Sequence, residues 1–511
     1  MTVIPSTWSA CTITLNLANR AGKPPLVLAL LFVNLVCLWS PERVFAQSEL
    51  EAREEAAATI TVADLSARIG ALAHDSMRGR ATPSPEIDKA ARHIAGRFKE
   101  FGLLPGDGDS YLQLYPLAFS VAGPPEKQSL EIVGPGGREI APEDFISLPG
   151  GGVEAAGPLH LSSLINAADL TESVSLVYVK ETEVRDAMSA VRRLLTSGAE
   201  GVVLAIDSSD EYFDGLRRFF SREQMSLGVP DELEGPAVLV RLSSLPAALQ
   251  EALTSESAVT DYSAKVRTNS RFRGDQAFNT IGWIEGSDPE LRDEYVVFTA
   301  HMDHVGVGRP VEGDSIYNGA DDDASGTAAI IELAEAFASL RNPPRRSLIF
   351  MTVSGEERGL LGSRWYSENP LFPLESTVAN LNIDMIGRNW QDTVVAIGRD
   401  ESTLGATLEG VVADHPELGL TMIDDPWPSE NFYFRSDHYN FARKGVPILF
   451  FFTGTHEDYH GPNDEADRIL YDKTSRIAQL IFFLGFEIAD ASKRPEWDLE
   501  AYRRVVEGGS E

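Results

Sequence analysis

The chain is 511 residues long, with 43% hydrophobic and 24% charged residues, a composition that fits a folded protein of more than one domain and excludes a disordered chain. Its 77 Asp and Glu outweigh 44 Lys and Arg, for a formal net charge of −33. A surface of that sign repels nucleic acid and anionic membrane, which sets both aside as partners.

At the N-terminus, Arg20 and Lys23 precede the apolar run LVLALLFVNLVCLW (26–39), and Pro41 and Val44–Ala46 follow it. A basic flank, a short apolar core and a small final residue predict a secretory signal over 1–46, cleaved after Ala46. The run is shorter than the ~20 residues of a spanning helix, and Val36 is a poor neighbour for a lipidated Cys37. The expected location is therefore secreted or periplasmic, with no membrane insertion once the signal is removed. Cys11 and Cys37, the two cysteines of the chain, both fall in the removed part. The mature protein is expected to have no disulfide and no thiolate ligand, so a metal site must be built from His, Asp and Glu.

Apolar residues at helical spacing predict helices over 61–73 and 86–101, the second closed by Gly102. They make 47–125 the N-terminal helical part of the domain that continues at 265–495. Residues 126–264, bounded by AGPPEK (122–127) and a polar stretch at 254–263, predict an inserted α/β or β-rich smaller domain. Within it, strand 175–179, helix 184–196 and strand 198–206 follow one another. From Phe278 onward, the buried runs 295–300, 347–353, 378–383 and 446–452 read as strands. Helical patterns at 326–340, 404–414 and 475–490 separate them. This α/β alternation predicts a mostly parallel, mixed sheet sandwiched by helices over 265–495, with 496–511 as a tail.

In such sheets ligands sit beyond the carboxyl ends of the strands. The run at 295–300 leads directly into His301, Asp303 and His304, and the run at 347–353 into Glu356 and Glu357. The third leads into Asp384, and the fourth into a loop with His456 and His460. The stretch NGADDDASG (318–326) opens the helix at Gly326. Alone, each segment reads as a helix cap or a solvated turn. Together they deliver His, Asp and Glu to one edge of one sheet. An N/O donor set of this kind suits zinc, with cobalt or manganese as substitutes. Two such cations ~3.5–4 Å apart can share one carboxylate, and the small residues flanking the aspartates allow the close backbone approach this requires.

The segments AHMDH, NGADDDASG, SGEERGLLGS, NIDMIG and DYHGPNDEAD, in that order across roughly 278–490, resemble the motifs of the secreted dizinc aminopeptidases, metallopeptidase family twenty-eight. That family also contains glutamate carboxypeptidase and the non-enzymatic transferrin receptor. The resemblance implies a dizinc exopeptidase-like fold and two zinc ions per chain. His301 and Asp384 would hold one, Glu357 and His460 the other, and Asp322 would bridge them. It implies Glu356 as general base, Tyr459 as a stabiliser of the oxyanion, Asp303 as the partner that fixes the His301 tautomer, and a cis peptide at Asp322–Asp323. The insert loosely resembles a protease-associated domain.

Near the motifs, Asp437 and His438 are expected beside the site, with Ser436 explicable as a helix cap. Arg435 suits either a substrate carboxylate or a surface ion pair. His304 and His456 are expected close by without a ligand role. The expected function is an exported zinc exopeptidase, an aminopeptidase acting on peptides with a free N-terminus. The alternatives are a carboxypeptidase or dipeptidase of the same fold and a non-catalytic, receptor-like binding protein; the intact Asp322, Glu356, Glu357 and His460 speak against the last.

Overall fold

The computed structural model describes residues 41–149, 154–162, 172–228, 233, 235–255 and 261–508. The apolar run 26–39 and both cysteines lie outside them, and a helix, Pro41–Ala57, runs across the expected cleavage point. Among the described residues, no helix is long and apolar enough to cross a membrane.

The main sheet has the strands β1 (Leu104–Pro105), β2 (Leu112–Ala122), β8 (Gln224–Leu227), β11 (Ser270–Ile284), β12 (Tyr295–His301), β15 (Ser347–Val353), β16 (Thr377–Ile383), β17 (Thr393–Ile397), β18 (Thr421–Ile423) and β19 (Ile448–Phe452). Their order is β18-β17-β19-β16-β12-β15-β11-β2-β8, with β1 on β11. The centre is parallel, as the apolar runs predict: β12 lies between β15 and β16, and β19 follows β16. Outside it, β15–β11–β2–β8 and β19–β17 pair antiparallel while the edge pair β17–β18 is parallel, so the sheet is more mixed than the α/β alternation suggests.

Alternate residues of the central strands face opposite layers. Val296, Phe298 and Ala300 pack with the helices Val62–Leu72, Pro85–Phe101, Gly326–Ser339, Leu404–Asp414 and Tyr471–Asp490. Val297, Ile349 and Met351 face Tyr366, Phe441 and Val505 on the other side. The helix Pro85–Phe101 starts where the Ser84 hydroxyl accepts the Ile87 N–H with Pro85 in its first turn. It stops where Gly102 turns left-handed (φ 84°).

The segment between β2 and β11 carries a second, seven-stranded sheet. Its strands are β3 (Ser129–Val133), β4 (Phe145–Ser147), β5 (Glu154–Leu161), β6 (Val174–Lys180), β7 (Gly201–Asp207), β9 (Ala237–Arg241) and β10 (Ser263–Arg267), in the order β3-β10-β5-β6-β7-β9-β4. Strand β8 leaves this segment and pairs with β2, Leu117 opposite Leu227, so the stretch 126–264 also supplies an edge strand to the main sheet.

Two helices that flank the site are tied together by a buried ion pair. Arg68 contacts the carboxylates of Glu332 and Glu335, and Glu332 is 1% exposed. Burial pushes the Glu332 carboxyl up to about 7 against the pull of Arg68. Arg68→Met strands that carboxyl, and we expect a loss of ~3 kcal/mol of stability. Adding Glu332→Leu restores most of it, because an apolar pair removes the desolvation cost as well; urea melts of the two variants test this.

Candidate metal centre

Strand β12 ends on His301, which is 1% exposed. The Thr327 hydroxyl donates to its carbonyl (2.8 Å), and its own N–H donates to Asp323 (3.2 Å). The ring is oriented through Nδ1, which lies 3.1 Å from the main-chain carbonyl of Asp303. The Asp303 carboxylate is further from Nδ1, at 3.8 Å, and accepts the Glu356 N–H instead (3.2 Å). Asp303 thus meets the ring most closely through its carbonyl, because the chain turns after His301, while its carboxylate also holds the neighbouring loop. With Nδ1–H donating to that carbonyl, Nε2 is left as the ligand nitrogen. It lies 3.2 Å from Asp322 Oδ1 and 3.5 Å from Asp384 Oδ1.

The three aspartates have three different tasks. Asp321 Oδ1 accepts the Gly387 N–H (2.6 Å). Asp323 accepts the N–H groups of His301, Gly326 (2.8 Å) and Met385 (3.2 Å), and so caps the helix at Gly326. Asp322 points into the cluster, with Oδ1 toward His301 and Oδ2 3.2 Å from His460 Nε2. The Asp322–Asp323 peptide is cis, as expected. Small neighbours are required here. A Cβ on Gly319 would sit 2.3 Å from the Asp322 carbonyl, and one on Gly326 would sit 2.4 Å from that of Ile383. Asp464, to which sequence reasoning gave no role, accepts the N–H groups of Asp321 (3.0 Å) and Asp322 (3.1 Å) and sets the direction of the run.

The second cluster lies on the other side of Asp322. Glu357 Oε2 is 3.1 Å from His460 Nε2, and Glu357 Oε1 is 2.9 Å from His304 Nδ1. His304 is therefore closer to the ligand set than expected: its Nδ1, Asp322 and Glu357 bring three donor atoms within 4.8 Å of one another, as His301, Asp322 and Asp384 do. His456 is buried 3.4 Å from Asp321 Oδ2, outside both groups. His460 has a left-handed backbone (φ 53°), a strained conformation for a residue with a Cβ. Asp458 anchors its loop by ion pairs with Arg388 (2.8 Å) and Arg468 (2.9 Å). Tyr459 stacks on the His460 ring, centroids 3.9 Å apart.

Ser436 is not the helix cap it resembles in sequence. Its hydroxyl donates to Asp384 Oδ2 (2.8 Å) and accepts from Asn382 (3.0 Å), which orients Asp384. Asp437 is fully buried beside this network, and burial pushes its carboxyl up to about 7. His438 Nε2–H donates to the Tyr433 carbonyl (2.8 Å), and burial lowers this ring to about 3, so it is neutral. Arg435 lies with its guanidinium 4.7 Å over the Phe432 ring.

The donor set fits metal cations. Asp384 Oδ1 and Glu357 Oε1 are buried without a hydrogen-bond partner, although imidazole nitrogens stand at contact distance. Burial alone would lower His460, but Asp322 and Glu357 raise it to about 10, and His301 is likewise held well above its usual value by Asp384 and Glu356. Burial raises Asp322, yet His304, His301 and His460 hold it well below the usual carboxylate range. Imidazoles that keep protons only to balance facing carboxylates are groups a divalent cation would deprotonate and bind. Glu356 belongs to neither ligand group. It lines a pocket with His301, Asp322, Asp384, Tyr459 and His460, and burial holds its carboxyl well above the usual range.

Residues 279–484 match the profile described as peptidase family M28. Aminopeptidase YwaD of Bacillus subtilis (strain 168) is 24% identical over 320 residues, covering 59% of this chain and 65% of its own. Aminopeptidase NAALADL1 of Mus musculus is 35% identical over 127 residues, 24% of this chain and 15% of its own. The chain thus spans less than two thirds of the length of these relatives. Among solved structures, an aminopeptidase from Aneurinibacillus sp. strain AM-1 shares the fold, with a TM-score of 0.50 at 20% identity over 86% of this chain and 97% of that one. The stretch that matches the family M28 profile, residues 279–484, is the one that carries the five motifs to one sheet edge.

Proposed function

We propose that this protein is an exported, zinc-dependent aminopeptidase. One observation carries the reading: the two oxygens of Asp322 face two separate donor sets, His301 with Asp384 and His460 with Glu357. A carboxylate so placed would serve two cations at once. His301 and Asp384 would hold one zinc, Glu357 and His460 the other, and His304 stands ready beside the second. Zinc bound there would acidify water and polarise a substrate carbonyl.

The chain's own residues perform the remaining tasks. Glu356, poised by burial, takes a proton from the attacking water and returns it to the departing amine. The Tyr459 hydroxyl donates to the carbonyl oxygen as negative charge develops. The pocket opening on the centre is walled by Met385, Phe432, Phe450 and Phe452, with Arg435 at its edge, which suits an apolar N-terminal side chain. The basic flank and apolar run before Ala46 support export.

The test is an assay of the purified protein on aminoacyl-nitroanilides, their N-acetylated forms and C-terminally blocked peptides, with zinc measured in parallel. We expect cleavage that requires a free amine, is fastest on leucyl and phenylalanyl substrates, and stops when zinc is chelated. Turnover indifferent to N-acetylation but dependent on a free carboxylate would replace this reading with a carboxypeptidase. Bound zinc without turnover would replace it with a receptor-like protein.

A further inference from the structure

Arg80 lies in DSMRGR (75–80), outside every motif that marks the site, yet it is 0% exposed. Its donors all end on main-chain carbonyls: Nε on Met302 (2.9 Å), Nη1 on Leu72 (2.6 Å) and Asn318 (2.7 Å), and Nη2 on Gly319 (2.9 Å). Met302 directly follows His301, and Asn318 and Gly319 open the aspartate run. One planar, rigid group therefore joins the two loops that carry His301 and Asp322, and ties both to the end of the helix Val62–Leu72. The His304 N–H returns a bond to the Arg80 carbonyl (3.4 Å).

The backbone that delivers this side chain is itself strained. Arg78, Gly79 and Arg80 are all left-handed (φ 46°, 67° and 49°), costly for the two arginines. A Cβ on Gly79 would lie 2.3 Å from the Tyr317 carbonyl and 2.6 Å from that of Gly306, so the turn is wedged against the segment between the two loops. Burial weakens the hold of the guanidinium on its proton, and Asp303, Asp322, Asp323 and Asp464 oppose that effect, so its charge sits among the carboxylates of the site.

We propose that Arg80 is a positioning residue of the metal centre, holding loops 301–304 and 318–326 in ligand geometry before any cation binds and supplying a permanent positive charge to the carboxylates gathered there. The inference rests on reading the cluster as a metal centre. A lysine has one point of charge and cannot span four carbonyls on three segments.

The competing account makes Arg80 a core residue like any other buried arginine. Arg346 provides the control. It is 1% exposed, bonded to Glu294 and to the carbonyls of Ile488 and Ala491, and takes no part in the ligand loops. Full-length wild type, Arg80→Lys, Gly79→Ala and Arg346→Lys are compared by zinc titration against a competing chelator, by thermal melting, and by hydrogen exchange of the metal-free proteins.

We expect wild type to bind two zinc ions. Arg80→Lys and Gly79→Ala should bind zinc about 10–100-fold more weakly, the scale seen when a ligand's support is removed. Both should also lose amide protection over 318–326 when metal-free. Arg346→Lys should melt lower yet keep wild-type zinc affinity. Arg80→Lys or Gly79→Ala melting lower with undiminished zinc affinity would overturn the proposal. Should Arg80→Lys fail to fold, Gly79→Ala, which keeps the arginine but moves the turn that delivers its guanidinium, decides between the two accounts. Wild type that binds no zinc would overturn the metal-centre reading itself, and this inference with it.

Discussion

Glu356→Gln is expected to lower kcat by about 10²–10⁴-fold, the span of a lost general base, while KM, fold and zinc content stay at wild type. The amide keeps the size and shape of the carboxyl but cannot take up a proton. Glu356 is in neither group of converging ligand atoms, so its replacement leaves the donors in place. The loop is held by the main chain, since the Glu356 N–H on Asp303 survives the substitution. The adjacent Glu357→Gln should do the reverse and release zinc, because Glu357 faces His460 and His304 directly. Steady-state kinetics on leucyl-nitroanilide, with zinc counted by mass spectrometry, separate the two glutamates. A Glu356→Gln protein that loses its zinc, or turns over within tenfold of wild type, would remove Glu356 from the role of base.

The central strands were legible because a parallel strand buried on both faces is largely apolar, and β12, β15, β16 and β19 are, with Asn380 and Asn382 of β16 the main polar interruptions. The ligands were legible for a related reason, since each stands just past one of those strands or at the helix that follows. Strand β11, Ser270–Ile284, was not read as a strand. Its first half, SRFRGDQ, pairs with β2 but is largely exposed, so it lacks the apolar signal. Strand β8 escaped because four residues returning from another sheet have no periodicity to detect.

At the site, what could not be read was the support acting through the main chain. Asp464 and Arg80 hold backbone groups, and the backbone carbonyl of Asp303 holds the His301 ring; backbone groups are the same in every sequence. Asp464 does lie within the quoted DYHGPNDEAD, four residues past His460, but an acidic residue in a loop has a bland reading ready. Ser436 was left between two readings for the opposite reason. Ser-Asp before a short helix is a strong local cap signal, and here a long-range bond to Asp384 prevails over it.

The three aspartates provide the most discriminating experiment, because their identical side chains predict opposite phenotypes. Asp322→Asn keeps the backbone bonds to Asp464 but puts an amide where one oxygen faces His301 and the other His460. Removing that charge from a buried ionic set costs ~3–5 kcal/mol, so zinc affinity should fall by about 10²–10⁴-fold at both positions together. Asp323→Asn instead exchanges one accepting oxygen for a donor, set against the N–H groups of His301, Gly326 and Met385. Leaving one of these N–H groups unpaired costs ~1–3 kcal/mol of stability. Asp321→Asn faces the Gly387 N–H and His456, and an amide can turn its oxygen to Gly387, so its loss should be the smallest. The measured pair for each variant is bound zinc and melting temperature. Equal zinc loss in all three would mean that the run binds metal as a diffuse negative patch. Loss confined to Asp322, with stability loss greatest at Asp323, is what three carboxylates with three separate partners require.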